Sequence, residues 1–306
     1  MTKNDDGLTR RDFLKGVSAA AVGGAVGLPA VAKNAHAAQS TSRVVLIRNE
    51  NALMASAAEE VSWSSTIDGD VIQQMMDEAL PALFGMDTPA DCWNTMIKPD
   101  DTVGIKTNVW GRLPTPEPLI ETIKRGVMGA GVPDERIGIG DRDVQEQENF
   151  QNCTALINSR PMRTHSWSGV GSLIKNYITF DYPPDYHDDA CADLAKLWEL
   201  PVVKDKTRLN ILVMITPQFH NIGPHHFDPM YTWPYRGLIL STDVVAADAV
   251  GLQIIQAQRR KEFGEERPIQ PTAHHIRLAD TVHHLGNADM DRIDLVRLGW
   301  DGEELI

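Results

Sequence analysis

Lys106 and Asn108 lie two residues apart in the apolar run Thr102–Val109. In a strand they share one face, opposite Val103 and Ile105, and leave it at the carboxyl end. A lysine on a buried face needs a partner. That partner is either a structural acid such as Asp141 or an anionic ligand. Asp141 opens the triplet Asp141-Arg142-Asp143, directly after the short run Ile137–Gly140. Carboxylates there orient a lysine, bind a metal or decorate a turn. Further on, His165 stands in the polar stretch Arg163–Ser166, ahead of Gly169-Val170-Gly171-Ser172, with Lys175 and Asn176 beyond. Taken as a glycine-rich helix start, this segment either holds an anion on backbone N–H groups or is a capped helix on a tight turn. The chemistry these residues suit is a pocket for an anionic substrate. Lys106 and Lys175 neutralise charge, and His165 or an Asp moves a proton.

A second group surrounds the long segment after Arg208–Ile215. It contains His220, His225, His226 and Asp228 among Phe219, Phe227, Tyr231, Trp233 and Tyr235. Imidazole and carboxylate suit zinc, copper, nickel or iron, so a divalent metal that polarises the substrate is one reading. The spacing matches no metal signature, and a lid over the pocket is the other reading. His274, His275, His283 and His284 fall on one expected helix, where a second metal site competes with simple exposure. Cys92, Cys153 and Cys191 have no C-x-x-C spacing, which disfavours an iron–sulfur cluster. The chain has no G-x-S-x-G elbow, P-loop or dinucleotide fingerprint.

The elements that would position these groups alternate. Strands are expected at Arg43–Arg48, Thr102–Val109, Ile137–Gly140, Arg208–Ile215, Gly237–Ser241 and Ile293–Leu298. Helices are expected at Asp70–Phe84, Pro116–Ala130, Gly169–Ile178, Asp188–Leu200, Asp243–Phe263 and Thr272–Leu285. The pattern predicts an α/β fold with a mainly parallel central sheet flanked by helices and a mixed middle segment inserted at about 145–205. Asp243 begins a helix, where N-capping accounts for it. Asp248, among Val245, Ala246, Ala247, Ala249 and Val250, needs a buried partner.

The 306 residues carry 29 basic and 42 acidic side chains, a net charge of −13. That balance disfavours a nucleic-acid binder. Residues 1–37 run from Thr9-Arg10-Arg11-Asp12-Phe13-Leu14-Lys15 through an Ala/Gly/Val-rich stretch to Ala35-His36-Ala37. This layout resembles a twin-arginine (Tat) export signal. Its removal takes five of the 29 basic and three of the 42 acidic residues, leaving −15 on residues 38–306 as a single domain. The expected product is periplasmic or secreted, meets the Tat translocase during export, and has no membrane span once mature.

Several ordered motifs resemble the domain-of-unknown-function 362 family over most of residues 95–300. They are Val103–Asn108 with its proline-led helix, Ile137–Asp141, and Asn158, Pro161 and His165 leading to Ser168-Gly169 and Lys175-Asn176. Ser241–Asp248 and the segment Gly286–Val296 complete them. The resemblance implies an α/β fold and a polar site, with no assigned activity. Some relatives carry ferredoxin-like cysteine clusters, which this chain lacks. Carried over by position, the site comprises Lys106, Asn108, Asp141, His165, Lys175, Asn176, Asp243 and Asp248. Two functions are expected from the whole. One is an exported acid–base or metal-assisted enzyme on a small anionic substrate. The other is a periplasmic metal- or anion-binding or maturation protein that serves a redox enzyme.

Overall fold

The structure, a computed structural model, describes residues 41–53, 66–221, 227–302 and 305–306. The expected leader, residues 1–37, lies outside these residues. The described chain falls in one compact unit. Its frame is one eight-stranded mixed sheet: β1 Ser42–Arg48, β2 Val103–Lys106, β3 Ile137–Gly140, β4 Ala155–His165, β5 Gly169–Gly171, β6 Thr207–Gln218, β7 Gly237–Ser241 and β8 Ile293–Gly299. The spatial order is β3-β2-β4-β6-β7-β1-β8, with β5 paired to β4. Only β7 and β5 run against the others. This is the α/β fold expected, with its mainly parallel sheet.

Alternation along the strands gives each face its own core. Val45, Ile47, Ile105, Ile157 and Ile211 pack under helices α1 Gly69–Phe84, α2 Pro89–Met96 and α3 Glu117–Gly129. Val44, Leu46, Leu156, Leu212 and Met214 pack on the opposite face. That face is covered by the one-turn helices α4 Glu148–Gln151 and α5 Leu173–Asn176, by α6 Val244–Phe263, and by α7 His274–Thr281. Local chemistry sets the helix ends. Asp68 caps α1 by accepting from the amides of Asp70 and Val71, and Gly85 closes it with φ 66°.

The middle segment departs most from the sequence reading. Its first part is a strand of the central sheet, β4, which the sequence reading left without an element. The helix expected at Gly169–Ile178 is the strand β5 followed by α5 and a 3-10 turn, Tyr177–Phe180. The helix expected at Asp188–Leu200 is two 3-10 segments, Asp189–Cys191 and Leu194–Glu199.

β2 follows β4 only from Ala155 to Asn158. Beyond it, β5 pairs with Arg163–His165. The sheet therefore splits beside Ser159–Met162. The chain leaves β2 toward β3 on one flank and returns to β4 on the other. The order of connections reverses at this point, and open α/β sheets place their ligand crevices at such a reversal.

One buried acid holds the split in shape. Asp248 on α6 is fully buried and accepts from Ser172 Oγ at 2.6 Å and from the amides of Leu173 and Ile174, each at 2.9 Å. It is the cap of α5, supplied from a distant helix. Asp248→Ala leaves three buried donors unpaired, so equilibrium denaturation should show a loss of about 2–4 kcal/mol. A loss below about 0.5 kcal/mol would contradict this role.

Candidate functional site

The split opens into a cleft of about 400 Å³. Asn108, Asp141, His165, Lys175 and Asn176 line it, as the sequence suggested. So do Arg160, Arg163, Trp110, Trp167 and His187, which the sequence reading had not placed there.

Lys106 sits behind the cleft wall and is fully buried. Its Nζ donates to Asp141 Oδ1 at 2.5 Å and to the Thr107 carbonyl at 2.8 Å. The second Asp141 oxygen accepts from the Val109 amide at 3.0 Å. Burial lowers the Lys106 pKa to about 8 even with Asp141 opposing the shift. Burial alone would raise Asp141, but Lys106 and the Val109 amide keep its carboxyl below the usual range. Of the alternatives read from sequence, the structural ion pair describes this lysine. Asp141 has no oxygen left without a donor, so it is poorly placed to take a proton.

Asn176 staples the split. Its Nδ2 donates to Asn158 Oδ1 at 2.9 Å and to the carbonyls of Ser159 and Lys106 at 3.2 and 3.3 Å. Asn158 donates in turn to Asn210 Oδ1 at 3.1 Å. The register aligns Lys106, Asn158 and Asn210 across β2, β4 and β6, so one polar row crosses the sheet beneath the cleft. On the near wall, Asn108 is tied through its backbone to Thr115.

The charge of the cleft comes from β4. In a regular strand Arg160 and Arg163 would point to opposite faces. The register with β6 shifts between Pro161 and Arg163, and such an irregularity re-aims side chains. Both guanidiniums consequently lie beside Gly171 on β5. A Cβ at Gly171 would stand 3.0 Å from Arg160 Nη2 and 3.4 Å from Arg163 Cζ. Both arginines are buried. Among the described residues, Arg160 Nε, Arg163 Nε and Arg163 Nη1 have no hydrogen-bond partner. Arg163 also lies over the Trp110 ring at 4.3 Å. Burial lowers both pKa values, and Arg160 adds to the shift on Arg163. A guanidinium keeps its proton in proteins, so an anion relieves this stress and deprotonation does not.

His165 is also fixed. Its Nδ1 accepts the Trp167 amide at 3.2 Å. In the neutral ring the proton therefore sits on Nε2, which becomes a donor. Burial, then Arg163, Lys175 and Arg160, hold its pKa far below the ordinary value. The ring suits hydrogen-bond donation to an anion better than proton abstraction. Lys175 is buried, and its Nζ donates to Cys191 Sγ at 3.4 Å. Burial, with Arg160 and Arg163 adding to it, lowers the Lys175 pKa to about 8.

Other sequence candidates lie elsewhere. Asp243 caps α6 through the amides of Val245 and Ala246 and accepts from Ser42 Oγ at 2.5 Å. It lies toward the start of β6, whereas the cleft is built on the far half of β4. Asp248 supports the cleft only through α5. His220 Nδ1 meets Arg259 Nη1 at 3.0 Å, and Asp228 caps a 3-10 turn through the Met230 amide. His225 and His226 lie outside the described residues. Among the described residues no three His, Cys, Asp or Glu side chains form a group able to hold a metal. The histidines expected on one helix separate: His275 on α7 is fully buried, and burial pulls its pKa to about 3, while His283 and His284 lie beyond the helix end. Phe227 packs edge-on against Trp110 of the cleft wall, with ring centroids 5.7 Å apart.

No protein-family model, curated protein or solved structure matches this chain. The functional reading therefore rests on the chemistry of the cleft. No helix among the described residues is long and apolar enough to cross a membrane.

A mutant cycle checks the structural role of the buried pair. Asp141→Asn strands the Lys106 charge and should cost about 3–5 kcal/mol in denaturant unfolding. Lys106→Met with Asp141→Asn should recover most of that loss. A double variant no more stable than Asp141→Asn would argue against the pair.

Proposed function

We propose that the cleft binds a small organic anion with two negative charges. The single observation that carries this reading is the unbalanced charge. Among the described residues, Arg160, Arg163 and Lys175 line the cleft with no carboxylate in ion-pair contact, and Asp141 is held by Lys106 and Val109. A dianion with forked oxygens suits paired guanidiniums. His165 Nε2–H is a further donor. Trp110 below Arg163, and the half-exposed Trp167 tilted against His187 with ring centroids 4.3 Å apart, offer aromatic walls for the rest of the ligand. Anion binding is favoured over metal-assisted chemistry here, since the cleft gathers cations and its one carboxylate is fully engaged.

The same proposal keeps the export reading. Thr9–Lys15 and Ala35-His36-Ala37 support a Tat passenger that works in the periplasm or outside the cell. The resemblance to the domain-of-unknown-function 362 family is supported by the motif residues Lys106, Asp141, His165, Lys175 and Asn176, which meet at or just behind one cleft.

Calorimetric titration with succinate, phosphate and sulfate at fixed ionic strength tests the reading. At least one dianion should bind, and Arg163→Met should weaken it tenfold or more, about 1.4 kcal/mol. The anion-free variant should be as stable as the parent or more so, because a stranded buried charge has been removed. Affinity should be full below pH 8 and fall above it, as Lys175 gives up its proton near pH 8. Failure of every dianion to bind would sink the proposal.

A further inference from the structure

Two lysines share the sheet split, and their surroundings differ. Lys106 is locked, with a carboxylate at 2.5 Å and a carbonyl at 2.8 Å on its Nζ. Lys175 lines the cleft, and no carboxylate lies within ion-pair distance of it among the described residues. Its neighbour is a thiol, Cys191 Sγ, at 3.4 Å. Burial raises the Cys191 pKa while Lys175 opposes that rise, and Cys191 in turn favours the charged form of Lys175 without overcoming its burial. The backbone holds Cys191 there at some conformational cost: Asp189, Ala190 and Cys191 have φ values of 45°, 51° and 64° in succession. Non-glycine residues rarely take such values in a row.

A desolvated lysine beside other cations is easier to deprotonate than one in water, and the neutral amine is the nucleophile. The neighbouring guanidiniums do two things. They hold down the charge on Lys175, and they seat a carboxylate beside it. What fits both at once is a carboxylate whose adjacent carbon is a carbonyl.

Resting on the anion-cleft reading, we propose that Lys175 forms an imine with a 2-oxo acid whose carboxylate is held by Arg160 and Arg163. The Nζ lone pair attacks the carbonyl carbon, and the C=O π pair moves to oxygen. A proton passes from nitrogen to that oxygen, giving a carbinolamine. The hydroxyl then takes up the proton that the lysine ammonium released on becoming the amine, the nitrogen lone pair forms the C=N bond, and the C–O bond breaks with the oxygen leaving as water. Counted from the ammonium form, one ammonium and one carbonyl give one iminium and one water, with the positive charge conserved. No oxidant or reductant is needed. His165 Nε2–H lines the same cleft and is the neutral donor available to that oxygen while it carries negative charge.

The test treats the folded protein with glyoxylate or 2-oxoglutarate and sodium cyanoborohydride, then maps modified lysines by peptide mass spectrometry. Lys175 should carry the reduced adduct, and excess succinate should suppress it at least tenfold. Lys175→Arg should lose the adduct. The succinate arm uses unaltered protein, so it stands even where the variant fails to fold. Calorimetry on the same samples separates the two claims. If succinate binds but neither 2-oxo acid modifies Lys175, the imine is overturned and the anion cleft stands. Modification spread over surface lysines, with no succinate protection, also overturns the imine. If no anion binds at all, both fall.

Discussion

Like charge held out of water at one break in a sheet is the constraint around which this fold is arranged. Arg160 and Arg163 enter the same space because β4 changes register at Pro161, and they remain there with buried N–H groups unpartnered. Such an arrangement is costly unless something offsets it. Asp141 is the nearest resident anion, and Lys106 already occupies it. The rest of the site follows from that shortage. His165 is kept neutral, Lys175 is pressed toward its amine form, and Gly171 leaves room for two guanidiniums where a side chain would stand against them.

Rigidity at the break comes from neutral and acidic side chains, most of them behind the cleft wall. Asp248 holds α5 by its first amides, and α5 carries both Lys175 and Asn176. Asn176 then bonds to β2 and β4 together, and Asn158 passes the connection to Asn210 on β6. Of the two readings of the glycine-rich segment, an anion site or a capped helix, the structure has the capped helix, and the cap is the Asp248 carboxylate. The helix terminus is filled by Asp248, and positive charge in the cleft comes from side chains instead.

Part of this was legible in the sequence. Alternation in Val103–Asn108 put Lys106 and Asn108 on one face, and the apolar setting of Asp248 announced a buried partner. Strands β1, β3 and β7 and helices α1, α3 and α6 follow ordinary signals, namely apolar periodicity, caps, and proline before or glycine after a helix. The central strand β4 was not legible, for a physical reason. Its sequence, Ala-Leu-Ile-Asn-Ser-Arg-Pro-Met-Arg-Thr-His, loses apolar alternation where it borders the cleft, and it contains a proline that only an irregular strand admits. A segment that is wholly buried yet polar looks like a loop to any reading based on hydrophobic period. The arginines were missed with it. The arginines of the candidate site lie in the strand whose apolar pattern is broken at the cleft, where local rules are most often violated.

The central claim is that the cleft is an incomplete charge system that an anion completes. The most direct measurement is the equilibrium unfolding of the native protein in sodium succinate and in sodium chloride at matched ionic strength, with Arg160→Met/Arg163→Met as reference. Succinate should stabilise the native protein by an amount that grows with the logarithm of its concentration, and the reference variant should show no such gain. An equal response of the two proteins to succinate would contradict it.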